Sequence, residues 1–310
     1  MSSILAPADL APAPARGHEA LARSITRAAS AQTYATIRFL ADRDRAADAY
    51  RAYAYFRWVD DRLDDGAAVP AERAAFLARQ QALLNAGYAG RPLPADLAPE
   101  ETLLAELIAA DTEPDSGLRS YLHNMMAVMA FDVGRRGATR RGQFISAAEL
   151  NGYTQTLATA VADALFHFIG HDQQPPRGPA RYCGVRAAHI IHMLRDTVED
   201  AAAGYCNVPA EFLAAHALRP PLTAADLETP AFRAWVAARV RLAREEFAAG
   251  RAYLAVVGSR RARLACRAYV ARFEYVAGLI ERDDFRLRPA YPERKSLSAA
   301  LAMGMKIIRN

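Results

Sequence analysis

Four carboxylates, Asp60, Asp61, Asp64 and Asp65, stand within six positions, just after the aromatic run Tyr50-Arg-Ala-Tyr-Ala-Tyr-Phe-Arg-Trp-Val59. At about 100° per helical residue, Tyr53, Arg57, Asp60 and Asp64 fall within about 60° of one another. Asp61 and Asp65 lie about 100° around the helix from Asp60 and Asp64. One helical face therefore carries two carboxylates, a guanidinium and a phenol. A second stretch, His189-Ile-Ile-His192-Met-Leu-Arg195-Asp196-Thr-Val-Glu199-Asp200, has the same design. His189, His192, Asp196 and Asp200 share a stripe about 80° wide. Asp60/Asp64 and Asp196/Asp200 are each spaced i, i+4, so each pair can direct both carboxylates at one place. Two such pairs facing each other repel unless a cation lies between them. Oxygen donors of this kind suit a hard divalent ion, and Mg²⁺ commonly shares a few carboxylates with substrate phosphate. Asp60, Asp64, Asp196 and Asp200 are thus the expected metal ligands, for Mg²⁺ or alternatively Mn²⁺. With His189 and His192 they form the candidate catalytic set.

The elements that must position these residues read as helices. Ala-rich, Gly-poor segments with 3.6-type apolar spacing run from about residue 18 to the end, and alternating β-branched runs are nearly absent. The spacing predicts an all-α protein with helices over 18–41, 44–65, 71–87, 97–111, 116–136, 147–170, 178–202, 230–257, 260–283 and 294–308. Breakers fall between them, among them Gly66 with Pro70, Pro114, Gly134–Gly142 and Pro220-Pro221. With no fixed repeat and no long linker, the simplest organisation is an Ala/Pro-rich flexible tail over 1–17 followed by one helical domain over 18–310.

Composition excludes several classes. No apolar run approaches the roughly 18 residues of a membrane span. The net charge of +5 comes from arginines scattered along the chain, with Lys295 and Lys306 the only lysines. Without a concentrated basic patch, nucleic acid is not an expected partner. A mildly basic surface can attract an anionic substrate and is compatible with weak membrane-surface association. Cys183, Cys206 and Cys266, irregularly spaced, argue for a reduced, cytoplasmic protein.

Other polar positions read more plainly. Thr33, Tyr34 and Arg38 lie on an amphipathic helix ahead of the first acidic stretch. Met125, Met126 and Met129 suggest a pliable core face. Asp132, with Arg135 and Arg136 after it, reads as a surface ion pair. His167 and His171 have i, i+4 metal-pair spacing but no evident third ligand, so they read as structural. The charged run at 280–288 and Glu293-Arg-Lys295 is either a solvated helix end or a set of cations for diphosphate.

With both acidic stripes in view, the chain resembles the squalene/phytoene synthase family, head-to-head isoprenoid synthases of all-α fold. Tyr53, Arg57, Asp60, Asp61 and Asp64 match its first motif, and Arg195-Asp196-Thr-Val-Glu199-Asp200 its second, with Gly204 and Pro209 at family spacing. Asp132, Glu149-Leu150 and Tyr153 match further family positions, and the likeness spans roughly residues 30–300. It implies a single-domain class I terpenoid-synthase bundle around a central cavity. It also implies Mg²⁺ held by the two acidic pairs, an allylic prenyl diphosphate as substrate, and Tyr53, Arg57 and Arg195 on the diphosphate. Thr33, Tyr34, Tyr153, Leu157, Thr159 and Ala162 are the expected cavity residues.

Departures from the family pattern shape the substrate expectation. His189 and His192 replace a Gln and an Asn, and imidazole suits Mg²⁺ less well than an oxygen ligand. The family's Gly-Arg-Ile-Tyr-Leu-Pro segment reads Gly204-Tyr-Cys-Asn-Val-Pro209, and Thr159 and Ala162 replace two glycines, which predicts a tighter tunnel. The resulting expectation is a Mg²⁺-dependent prenyltransferase that ionises one short allylic diphosphate and transfers the prenyl group to a small-molecule acceptor lacking diphosphate, plausibly aromatic. Head-to-head condensation of two prenyl diphosphates is the alternative, followed by a class I cyclase and a non-enzymatic family member.

Overall fold

The structure is a computed structural model and describes residues 13–64, 69–137, 144–203 and 205–296, with 301, 303 and 304. Asp65, Gly204, residues 1–12 of the expected tail and most of the expected 294–308 helix lie outside the described residues. The helices are α1 (Ala13–Ala29), α2 (Ala31–Leu40), α3 (Ala46–Asp64), α4 (Pro70–Tyr88), α5 (Pro99–Ala110) and α6 (Gly117–Gly137). They continue with α7 (Ala147–Phe168), α8 (Ala180–Ala202), α9 (Ala210–Ala215), α10 (Ala224–Leu227), α11 (Pro230–Leu254) and α12 (Arg260–Arg282). Among the described residues no strand forms, and no helix is long and apolar enough to cross a membrane.

Two sequence expectations are corrected here. The helix expected over 18–41 is two helices. Ser30 adopts an extended backbone and its side chain accepts from the Thr33 amide, so the chain stops and restarts there. The first helix also begins at Ala13, inside the expected tail. Between Ala202 and Pro230 the short helices α9 and α10 were not anticipated; pieces of one or two turns carry too little periodicity to read.

The packing holds α3 and α8 by the faces opposite their acids. On α3, Tyr50, Tyr55, Phe56, Val59 and Leu63 are buried against α1 and α5. The Tyr55 hydroxyl donates to Gln80 Oε1 at 3.1 Å, and Gln80 Nε2 donates to Glu101 Oε1 at 2.8 Å. Glu101, only 4% exposed, also accepts from Arg79 Nε at 2.8 Å and from the Ala98 amide at 3.0 Å. This chain of bonds fixes α3 to α4 and α5. On the other side α8 packs against α7, α11 and α12. A Cβ on Gly250 would come within 2.8 Å of the Gly184 backbone nitrogen, so α11 can approach α8 this closely only with glycine there.

Glu101→Leu would leave the fully buried Gln80 amide without its acceptor. It is expected to cost about 2–4 kcal/mol, read as a lower urea midpoint with an unchanged slope.

Candidate active site

The acid-bearing face of α3 leaves the core with Tyr53 and continues through Arg57, Asp60 and Asp64. Arg57 forks onto two carboxylates: Nε donates to Asp61 Oδ2 at 3.0 Å and Nη1 to Asp60 Oδ2 at 3.2 Å. Asp61, placed off the stripe by helical arithmetic, is therefore tied to it through the guanidinium.

The α8 face is more buried and more strongly coupled. Asp196 accepts from Arg195 Nε at 2.5 Å, and His192 Nε2 lies 2.9 Å from its Oδ2. Burial opposes ionisation of Asp196, but the bonds from His192 and Arg195 outweigh it and hold the carboxyl well below the usual range. Asp200, one turn on, behaves oppositely. Burial first, then the charges of Asp196 and Glu199, push its pKa up to about 6. The His189 ring stacks 6.3 Å from that of His192 and is buried, and burial lowers its pKa to about 3. It is therefore a neutral imidazole.

Asp200 is held from behind by a network that the sequence does not announce. Asn207 Nδ2 donates to Asp200 Oδ2 at 3.3 Å, and Arg135 Nη1 donates to Asn207 Oδ1 at 2.8 Å. Arg135 also donates to the Tyr205 hydroxyl at 2.8 Å and the Cys206 carbonyl at 2.6 Å, and it lies 4.3 Å over the Tyr205 ring. Tyr205 donates in turn to Asp132 Oδ1 at 2.9 Å, and Tyr153 donates to Asp132 Oδ2 at 3.2 Å. The expected surface pair is thus overturned: Arg135 is 6% exposed and belongs to an interior network.

A mostly apolar cavity of about 370 Å³ lies between α2, α3, α6, α7 and α12. Of the residues expected there, Thr33, Tyr53 and Leu157 line it, and Met125 joins them from the methionine face. The others lie elsewhere. The Tyr34 ring packs 5.4 Å from Tyr50, and Tyr153 bonds Asp132. Thr159 is bonded to Gln155, which accepts from Arg186 on α8. Ala162 packs with Ala158 and Val185 between α7 and α8. Helical phase is the reason: Leu157, Val161, Ala164 and Phe168 face the cavity, whereas Ala158 and Ala162 face α8. The residues replacing the two family glycines therefore do not tighten this cavity.

Arg272 is the site residue that sequence reasoning missed. It lines the cavity with Tyr53, donates to Gln32 at 3.2 Å and stacks 4.6 Å over Phe273. Burial first, then the nearby charges of Arg195 and Arg294, lower its pKa. Arg272, beside Tyr53 on the wall of an apolar cavity and within reach of the charge of Arg195, is suited to bind an anion. A lone arginine on a periodic helix gives no signal of this. Of the charged tail, Arg288 pairs with Asp283 and Glu293, and the charge of Arg294 acts on Arg272. His167 accepts or shares a hydrogen with Arg45 Nη1 at 2.8 Å, and His171 lies 2.9 Å from Glu113.

The donor chemistry fits a divalent ion shared with phosphate. Among the described residues no three Asp, Glu, His or Cys side chains converge to enclose an ion. Paired oxygen donors, with Asp200 resisting ionisation beside Asp196 and Glu199, are nonetheless what an added cation would relieve.

This arrangement of helices is the all-α isoprenoid-synthase fold. A solved squalene synthase from Alicyclobacillus acidocaldarius superposes with a TM-score of 0.66 at 21% identity, covering 90% of this chain and 98% of the other. A dehydrosqualene synthase solved with a ligand gives 0.67 at 15% identity, covering 95% and 96%. In sequence, residues 26–299 match the family model of squalene/phytoene synthase. The chain belongs to the squalene/phytoene synthase family, a family of prenyltransferases. It is also 29% identical over 188 residues to a presqualene diphosphate synthase of Zymomonas mobilis subsp. mobilis. That match spans 61% of this chain and 59% of the relative's length.

The raised pKa of Asp200 has a measurable consequence. Its contribution to stability is favourable below the ordinary pKa of 3.8 and is lost as the pH rises through about 6. Asp200→Asn is therefore expected to stabilise the chelator-treated protein at pH 7, by about 1–2 kcal/mol after allowing for partial exposure. The gain should vanish toward pH 4 and shrink when Mg²⁺ is added; thermal melts at the two pH values check it.

Proposed function

We propose that the chain is a Mg²⁺-dependent prenyltransferase that ionises an allylic prenyl diphosphate and joins the resulting prenyl cation head to head to a second prenyl diphosphate. The observation that carries this reading is Arg272 standing with Tyr53 on the wall of an apolar cavity, with Arg195 bonded to Asp196 on the second acidic stripe. The matched family and the relatives' own names, presqualene diphosphate synthase and squalene synthase, support condensation over the aromatic acceptor expected from sequence.

Each group has a role in that chemistry. A departing diphosphate needs positive charge already in place. Arg195 and Arg272 supply fixed charge, and Arg57 can exchange its Asp61 partner for phosphate oxygen. Asp60, Asp64, Asp196 and Asp200 would hold Mg²⁺, which when bound supplies Lewis-acid stabilisation of the leaving diphosphate. Tyr53 orients the diphosphate end, while Leu157, Val161 and Phe168 give the prenyl chain a dry wall that keeps water from the cation. Arg135, Tyr205 and Asn207 fix Asp200 from behind.

One observation favours a second reading, transfer to an aromatic acceptor. His189 Nε2 is buried without a hydrogen-bond partner among the described residues, and the ring is neutral. An aromatic carbon nucleophile needs such a base to take its ring proton.

Incubation with farnesyl or geranylgeranyl diphosphate and Mg²⁺ separates the two. A thirty- or forty-carbon product is expected. Turnover only when an aromatic acceptor is added would establish the second reading. Asp60→Ala and Asp196→Ala should each lower turnover by at least about a hundredfold with unchanged circular dichroism, and full activity in either would undo the site assignment.

A further inference from the structure

A second cavity, of about 420 Å³, lies among the start of α6, the last turns of α7 and the segment that leads into α8. It is distinct from the apolar cavity and remote from the acidic stripes. Arg181, on its wall, precedes Asp196 by fifteen residues of α8, which is about 22 Å at the helical rise.

Two helix starts border this space. Gly117 opens α6, and a Cβ there would come within 2.7 Å of the Asp163 carbonyl oxygen. Glycine therefore lets the start of α6 press against α7. Ser116 caps that start, its Oγ accepting from the Arg119 amide at 2.8 Å. The first turn of α8 begins at Ala180 and puts Arg181 and Tyr182 on the same wall. Each helix start adds partial positive charge.

Side chains add full charge. Arg181 is 7% exposed. Its Nε donates to Asp163 Oδ1 at 2.9 Å, and its buried Nη1 makes no hydrogen bond among the described residues. A buried donor in that state calls for a partner. Arg119 and Arg177 are exposed on the wall and donate to main-chain carbonyls, those of Pro114 at 3.3 Å and Asp115 at 3.0 Å. Neither has a carboxylate partner among the described residues. Of the acids on the wall, Asp163 is taken by Arg181 and by the Ser120 hydroxyl at 2.7 Å. Glu113 is taken by Arg45 at 3.1 Å and His171 at 2.9 Å. Two guanidiniums are thus left against the exposed Asp115 carboxylate. His123 completes the wall; burial first, then the charge of Arg119, lowers its pKa and keeps the ring neutral.

We propose that this cavity binds the phosphate group of a small polar molecule, with Arg119, Arg177 and Arg181 directed at the phosphate oxygens. Guanidinium forks and helix starts both suit a tetrahedral oxyanion. The volume falls within the range of small-molecule pockets, about 300–1,000 Å³, so it leaves room for an organic part beside His123 and Tyr182. The site does not depend on the prenyl-transfer reading, because none of its residues belongs to the acidic stripes or the apolar cavity.

The test is isothermal titration of the full chain, with a chelator and without substrate. Inorganic phosphate and ribose 5-phosphate are titrated separately. Saturable binding at one site is expected, and the tighter ligand tells whether the free ion or an ester is preferred. The double variant Arg119→Ala with Arg177→Ala, at exposed positions, should bind at least about tenfold more weakly, with unchanged circular dichroism. Arg272→Ala, in the apolar cavity, should bind as the parent does. Absence of saturable binding of either ligand at millimolar concentration overturns the proposal, as does equal binding by the double variant. So does loss of binding in Arg272→Ala alone, which would put the phosphate in the apolar cavity.

Discussion

Repulsion between like charges is the constraint around which this bundle is arranged. Carboxylates one helical turn apart are brought into an environment that partly excludes water, on α8 most of all. Each is tolerated because something opposes its charge. Asp60 and Asp61 have Arg57, and Asp196 has Arg195 and His192. Asp200 has Asn207 and, behind it, Arg135, and the compensation is incomplete, so burial and its acidic neighbours keep its pKa near 6. A site in this condition is prepared for added positive charge. The apolar packing serves the same end by holding α3 and α8 rigidly by their opposite faces.

The sequence shows the pieces whose meaning is local. The i, i+4 aspartates, the helices Ala46–Asp64 and Ala180–Ala202, and the motifs of the family are all legible in one dimension. The failures have physical causes. Ser30 breaks a segment of otherwise continuous helical character through a single side-chain bond. Thr159 and Ala162 seemed to narrow the cavity, but Ala162 packs against α8 and Thr159 is bonded to Gln155, both off the cavity-facing stripe. Arg272 and Arg135 gain their meaning from residues on other helices far away in sequence, and arginine is common throughout this chain.

Substrate choice is the property least determined by the acidic stripes. In the proposed reaction the same charged face would serve whatever then captures the cation. The discriminating features are the shape of the apolar space and the groups along its far wall. In this chain Thr159 and Ala162 leave the cavity unaltered, and His189, a neutral, buried imidazole, stands outside its lining.

The contact between Arg135 and the 205–207 segment has a consequence for how such proteins diverge. Its guanidinium enters from α6, and Tyr205 and Asn207 accept its hydrogens. Arginine in place of Tyr205 would set a second guanidinium beside Arg135 and remove the hydroxyl that links Arg135 to Asp132. The two loci are energetically coupled: a change at position 135 is felt at positions 205 and 207 through shared hydrogen bonds. Pairwise covariation between position 135 and positions 205 and 207 is the evolutionary imprint that this geometry would leave.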